Sequence, residues 1–379
     1  MPPQAIPVTS RAEHTLLLAR DPAVLQAMHG LAGTPPRLLS SGREALRHLF
    51  TAEDPARHLV CQPSAAGKAW PALLATAQDP FVATGLIVVQ EDARGPGVPA
   101  RASDLAAALR ESPPPGPAPM TDPSVLARGL ARGEISVRYQ PVLRIADERP
   151  ILIEGLARWQ PKGDVPLGPD SFVPLAERSG QVSALSVAVA QAAFAELGPI
   201  IGRLGASLSL NLPLSLLLDR TVPQRLCALR DAAHFPADAL MLELTETTPV
   251  RDRSALRRAL HRCRALGLPV LVDDMGLQDE RVALLDLPFA GIKLDRSLVA
   301  AMPESHRARA EVAMLVRRAH ANGMTVTAEG ISDCRLWRAV AAAGVDNAQG
   351  YAISRPLTAA ALPAWASTRH WTHRNLQGC

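Results

Sequence analysis

The sequence predicts an α/β protein: a small α/β unit followed by a (β/α)8 barrel whose first two strands pair antiparallel. Three observations carry this. Short apolar runs rich in Val, Leu and Ile alternate with amphipathic stretches along the whole chain. The proline-dense stretch Ser112-Pro113-Pro114-Pro115-Gly116-Pro117-Ala118-Pro119 cuts the series in two, and such density gives a semi-rigid polyproline spacer. After the cut, apolar runs end again and again in polar residues, as barrel strands do at the mouth that carries the chemistry. An open doubly wound sheet is the alternative. No G-x-G-x-x-G opens a helix after a strand, so the dinucleotide-binding form of that sheet lacks support.

The chain has 379 residues, 47% of them hydrophobic and 20% charged, enough for a large core and two or more domains. Its formal net charge of +4 implies no broad nucleic-acid surface, so no nucleic-acid polymer is expected as partner. Cys61, Cys227, Cys263, Cys334 and Cys379 are scattered, with no C-x-x-C and no Cys/His metal spacing, and read as reduced. Met1-Pro2-Pro3-Gln4-Ala5 has neither the basic nor the apolar segment of a secretory signal, and no run of about 18 apolar residues exists. No membrane span and a cytoplasmic location are the expectations.

Residues 1–111 form the first domain. His14–Arg20, Arg37–Ser40, His58–Gln62 and Gly85–Gln90 read as strands. Asp21–Leu31, Gly42–Phe50, Ala69–Ala77 and Ser103–Glu111 read as helices. Alternation of this kind gives a parallel sheet. The layout resembles a receiver domain of a response regulator, without its chemistry. Ala19-Arg20-Asp21 stands where a receiver has an acidic pair, and Cys61-Gln62-Pro63 where it has the phospho-accepting Asp. The expectation is a receiver-like docking or dimerising module that takes no phosphoryl group and can offer a face to a protein partner. Residues 112–123 are the linker.

Residues 124–371 form the second domain. Ile135–Ile145 and Pro150–Trp159 are joined by Ala146-Asp147-Glu148-Arg149, too short for a parallel crossover, so these strands pair antiparallel. Strands Ala206–Leu212, Ala239–Glu246, Pro269–Asp274, Gly291–Asp295, Thr325–Gly330 and Asn347–Tyr351 follow. Between them lie helices Phe172–Arg178, Val182–Leu197, Pro223–Ala233, Ser254–Leu266, His306–Asn322 and Cys334–Ala343.

Asp273 and Asp274 follow the buried run Pro269-Val270-Leu271-Val272. Two adjacent carboxylates there repel each other and lose hydration, so a cation should compensate them. For one pair alone, a helix cap and a solvated side chain would suffice. But Glu154, Asn211, Glu243, Asp273 with Asp274, Lys293, Glu329 and Gln349 lie on seven strands, at or near the ends of apolar runs, and a barrel brings those ends to one rim. Hard oxygen donors without clustered His or Cys suit Mg²⁺, Mn²⁺ or Ca²⁺. Dinuclear sites of this type commonly hydrolyse phosphate esters.

The second domain is similar to the EAL domain, the cyclic di-GMP-specific phosphodiesterase. The motifs are Tyr139-Gln140-Pro141, Glu154-Gly155-Leu156-Ala157-Arg158-Trp159, Phe172-Val173-Pro174-Leu175-Ala176-Glu177, Asn211-Leu212-Pro213, Glu243-Leu244-Thr245-Glu246, Asp273-Asp274-Met275-Gly276, Lys293-Leu294-Asp295, Ala328-Glu329-Gly330 and Gln349-Gly350-Tyr351 with Arg355-Pro356. The resemblance implies a TIM-type barrel with an antiparallel first strand. It implies that Glu154, Asn211, Glu243 and Asp273 ligate one divalent metal, and that Asp273 bridges to a second held also by Asp274. The metals would be Mg²⁺ or Mn²⁺, with Ca²⁺ inhibitory. Lys293 would position the attacking water and Glu329 assist proton handling. Gln140, Leu156, Arg158, Gln349 and Arg355 would contact the dinucleotide or the site's water. Glu246 would steady the loop after Asp274, and a homodimer through this domain is expected.

Three residues or stretches depart from the family pattern. Gly155 replaces the signature Ala, and Met275 the usual Phe. After Gly276 the family continues with a Gly-Thr-Gly-Tyr-Ser-Ser-Leu-like loop; here the chain reads Leu277-Gln278-Asp279-Glu280-Arg281-Val282 and is one residue shorter. Two expectations result. The chain hydrolyses cyclic di-GMP to linear pGpG in bacterial second-messenger signalling, or it binds cyclic di-GMP or a protein partner without turnover.

Overall fold

The computed structural model describes residues 15–30, 36–51, 58–77, 79, 82, 84–89, 99–100, 122–162, 166–245, 250–276 and 280–368. The chain divides into two compact units, Met1–Pro115 and Gly116–Cys379.

The first unit is built on a parallel sheet of β1 (Thr15–Leu18), β2 (Arg37–Leu38), β3 (His58–Cys61), β4 (Gly85–Val89) and β5 (Pro99–Ala100). The strand order β2-β1-β3-β4-β5 is that of flavodoxin-like doubly wound sheets. β1 and β3 are buried at every position, as central parallel strands covered on both faces must be. Helix Gly42–Thr51 turns Ala45, Leu46, Leu49 and Phe50 inward at helical spacing. β5 was not among the expected strands, because two residues carry no periodicity. The helix expected over Ser103–Glu111 and the proline-rich spacer lie outside the described residues.

At the carboxyl ends of β1 and β3, Gln62 Oε1 accepts hydrogen bonds from the backbone N–H of Arg20 (2.6 Å) and Asp21 (3.0 Å). A neutral amide thus ties together the two places that carry acidic residues in a receiver. Burial pushes the adjacent Cys61 thiol up to about 12, which keeps it protonated and inert.

In the second unit, eight strands close a barrel in the order β10-β11-β12-β13-β6-β7-β8-β9. They are β6 (Ile135–Arg144), β7 (Pro150–Trp159), β8 (Ser207–Leu212), β9 (Leu240–Leu244), β10 (Val270–Met275), β11 (Gly291–Leu294), β12 (Thr325–Ala328) and β13 (Asn347–Ala348). β6 runs antiparallel to both β7 and β13, and every other pairing is parallel. The first-strand reversal read from the turn Ala146–Arg149 is therefore present. That turn closes through Glu148 N–H to Arg144 O at 2.8 Å.

Helices cover the barrel wall. Val182–Leu197 buries Leu185, Val189, Ala193, Phe194 and Leu197. Trp159 packs edge-on to Phe172 with ring centroids 5.8 Å apart, fixing helix Pro169–Arg178 to the end of β7. The helix expected over Pro223–Ala233 begins earlier, at Thr221, and a short helix Leu214–Leu218 precedes it. The last strand is shorter than the expected Asn347–Tyr351, because Gly350 turns the chain away. Among the described residues no helix is long and apolar enough to cross a membrane.

Candidate active site

Strand register brings the polar residues together. Gln140 on β6 stands opposite Glu154 on β7, and Asn211 on β8 opposite Glu243 on β9. Leu156 and Arg158 follow Glu154 at two-residue steps, so all three project from one face of β7. Lys293 lies on β11, Glu329 one residue past β12 and Gln349 one residue past β13.

Asp273 and Asp274 break the alternation rule that would send adjacent side chains to opposite faces. The register between β10 and β11 shifts between Val272 and Met275, and Asp274 adopts φ 53°. A bulge with a residue in the left-handed region re-aims a side chain at a strand end. Here it lets two neighbouring carboxylates reach the same rim.

Lys293 is the centre of the cluster. Its Nζ lies 3.1 Å from Glu154 Oε2, 2.8 Å from Glu243 Oε2, 3.0 Å from Asp273 Oδ1 and 2.5 Å from Glu329 Oε1. Burial would strip the ammonium of its charge, but these four carboxylates overcome that and hold its pKa well above the ordinary value. The carboxylates differ among themselves. Burial, then Glu154 and Asp273, push Glu243 up to about 8 against the pull of Lys293. Burial likewise raises Asp273 and Glu329. At Glu154 burial is outweighed by Lys293 and by hydrogen bonds from Gln349 and Asn211, so its pKa falls. The pocket therefore holds more carboxyl groups than one lysine can keep ionised.

Two oxygen triads share one residue. Carboxylate oxygens of Glu154, Glu243 and Asp273 lie within 4.8 Å of one another, and so do those of Asp273, Asp274 and Glu329. Asn211 Nδ2 donates to Glu154 Oε1 at 3.0 Å, which leaves its own oxygen turned away from that bond. Asn211 Oδ1 and Glu243 Oε1 are buried and accept no hydrogen bond. Buried acceptors without donors are costly unless a cation meets them. An all-oxygen set with orphaned acceptors and more carboxyl groups than cations fits hard divalent cations.

Of the residues expected to contact the ligand, Gln349 and Gln140 join this cluster. Gln349 Nε2 donates to Glu154 Oε2 (2.7 Å) and to Gln140 Oε1 (3.3 Å), and Gln140 Nε2 donates to Ser354 O (2.9 Å). Arg158 Nη1 donates to Ala157 O at 2.8 Å. Arg355 stacks over the exposed ring of Tyr351 at 4.5 Å. Leu156 lines a cavity of about 280 Å³, with Asn211, Leu210, Val173 and Leu185 among its walls. Glu246 and the departing residues Leu277 to Asp279 lie outside the described residues. Sequence reasoning missed the place of Tyr351, an exposed aromatic beside an arginine. It also missed Arg281, whose signal was its being the single cation between Gly276 and Leu287.

A closed barrel with a lysine-centred oxygen cluster at the carboxyl ends of its strands has an acidic mouth that could hold metal ions. The chain belongs to the EAL family: the EAL domain model matches residues 124–356. Cyclic di-GMP phosphodiesterase PA2567 of Pseudomonas aeruginosa is 32% identical over 229 residues, covering 60% of this chain and 39% of the relative. Cyclic di-GMP phosphodiesterase RocR of the same organism is 31% identical over 244 residues, covering 62% of this chain and 61% of the relative. The chain thus spans less than two thirds of the length of either. The solved structure described as PaMucR phosphodiesterase in complex with c-di-GMP shares the fold, with a TM-score of 0.59 and 24% identity over 63% of this chain and 98% of that one.

Proposed function

We propose that this chain hydrolyses one phosphodiester of cyclic di-GMP to give linear pGpG, using two divalent cations, Mg²⁺ or Mn²⁺. The observation that carries this is the position of Asp273 in both oxygen triads. A carboxylate shared in this way is what a two-cation phosphodiesterase needs, with ions about 3.5–4 Å apart. Glu154, Asn211, Glu243 and Asp273 would hold one ion, and Asp273, Asp274 and Glu329 would face the other. Bound there, divalent cations lower the pKa of water and neutralise charge on the phosphoryl group.

The chain's own residues do the rest. Lys293 stays charged in the floor of the pocket, where it would position the water that attacks phosphorus. Glu329, whose pKa burial raises, would exchange a proton with the reacting oxygens. Gln349, tied to Gln140 and Glu154, keeps the ligand-side amides in line. Arg158 and Arg355 supply cationic contacts to the phosphates and bases of the dinucleotide. A homodimer through the barrel, and a protein partner for the first unit, belong to the same reading.

The replaced loop after Gly276 favours one second reading, a cyclic di-GMP receptor without turnover. Incubating the purified chain with cyclic di-GMP and Mg²⁺ or Mn²⁺, then separating the nucleotides, decides between them. The proposal expects pGpG from the wild type and none from Glu154→Ala. Tight binding with no product from either protein supports the receptor.

A further inference from the structure

Arg281 donates to the backbone of both members of the aspartate pair. Its Nη1 donates to the backbone oxygen of Asp273 at 2.8 Å, and its Nη2 to the backbone oxygen of Asp274 at 2.6 Å. The residues it grips are the two at the β10 bulge, one of them at φ 53°. The side chain is half-buried and rises from the short 3-10 turn Glu280–Leu284, which Leu284 and the fully buried Leu285 root in the core.

We infer that Arg281 is a positioning residue for the second cation: it clamps the Asp273 and Asp274 carbonyls so that both carboxylates face Glu329. The inference rests on the two-cation reading above. A planar guanidinium forks onto two acceptors at fixed spacing, whereas an ammonium meets them as a point charge. Left-handed backbone at a non-glycine residue persists only where surrounding contacts over-determine it, and this fork supplies such contacts. It also sets a positive charge on the backbone side of the aspartates. The three ligands that belong to the first ion alone do not lean on this fork. Glu154, Asn211 and Glu243 sit on strands in regular register; Lys293 bridges Glu154 and Glu243, and Asn211 donates to Glu154.

The experiment is Mn²⁺ titration of the full chain, followed by calorimetry and by electron paramagnetic resonance of free Mn²⁺, without nucleotide. Wild type takes up two ions. Arg281→Ala keeps the tighter site and weakens the other about 10–100-fold, the usual effect of removing a group that orients a metal ligand. Arg281→Lys falls between them. Hydrolysis by Arg281→Ala then needs correspondingly more Mn²⁺ but approaches the wild-type kcat at saturation. Unchanged affinities at both sites in a folded Arg281→Ala protein overturn the inference, as does equal weakening of both. If circular dichroism shows Arg281→Ala unfolded, Arg281→Lys carries the same comparison. No Mn²⁺ uptake by wild type removes the two-cation reading and this inference with it. Two wild-type sites indifferent to Arg281 remove this inference alone.

Discussion

Lys293 and Glu243 meet 2.8 Å apart in the barrel mouth, their side chains 1% and 0% exposed. Three further carboxylates crowd the same ammonium. Breaking a buried ion pair from one side costs about 3–5 kcal/mol, because the remaining charge has no solvent. Lys293→Met should therefore lower the unfolding free energy by roughly that amount in chelator. Mg²⁺ should restore part of it, and no pGpG should form. Urea denaturation with and without Mg²⁺ checks this; a Lys293→Met protein as stable as wild type in chelator would contradict it.

Stability should depend on pH with a sign set by Glu243. Its folded pKa stands near 8 against an ordinary 4.5, so between those values the folded state holds a proton that the unfolded chain has released. Stability in chelator is then highest toward the low end of that window and declines as pH rises through it. Asp273 and Glu329, raised by the same burial, act in the same direction. A bound divalent cation replaces the proton, so the stabilisation by Mg²⁺ should grow with pH. Melting temperatures across the window, with and without Mg²⁺, test both slopes.

Asp274 carries a backbone requirement and a charge that can be separated. Asn tolerates the left-handed region nearly as well as Asp, while a β-branched residue does not. Asp274→Asn should fold with wild-type stability yet lose about 100-fold or more in turnover, since several kcal/mol of charge stabilisation rests on such ligands. Asp274→Val should lose stability as well, by roughly 1–2 kcal/mol. Equal stability of the two variants would sink the backbone half of this account.

Gly155, the departure in the signature triplet, has a local cause. A Cβ there would lie 2.9 Å from Leu210 Cδ2 and 3.4 Å from Ser209 O. Leu210 borders the adjoining cavity, so its end can give way. Gly155→Ala alone should change stability by less than about 1 kcal/mol, strand entropy offsetting the crowding. In a Leu210→Val background the same change should turn favourable, with a coupling of at least about 0.5 kcal/mol. Strict additivity in a double-mutant cycle would show that Leu210 is not the reason for the glycine.

The sequence made the strand ends visible because polar residues interrupting apolar runs are a one-dimensional signal. Glu154, Asn211, Glu243, Lys293 and Gln349 were all located that way, and the barrel joins them. The reversal of β6 was equally legible, since four residues between two long strands permit only a hairpin. The bulge was not. Asp273 and Asp274 look like any strand end, and their shared rim depends on a register shift against β11. Nor was the Gln62 amide that ties β1 to β3, or the fork from Arg281, because side-chain bonds to distant backbone leave no periodic trace.

The central claim is that Asp273 joins two cations at one rim. Anomalous diffraction from crystals grown with Mn²⁺ and cyclic di-GMP measures this directly. The account predicts two peaks about 3.5–4 Å apart, with Asp273 touching both and Asp274 only the second. A single peak away from Asp273, or none with the nucleotide bound, would contradict it.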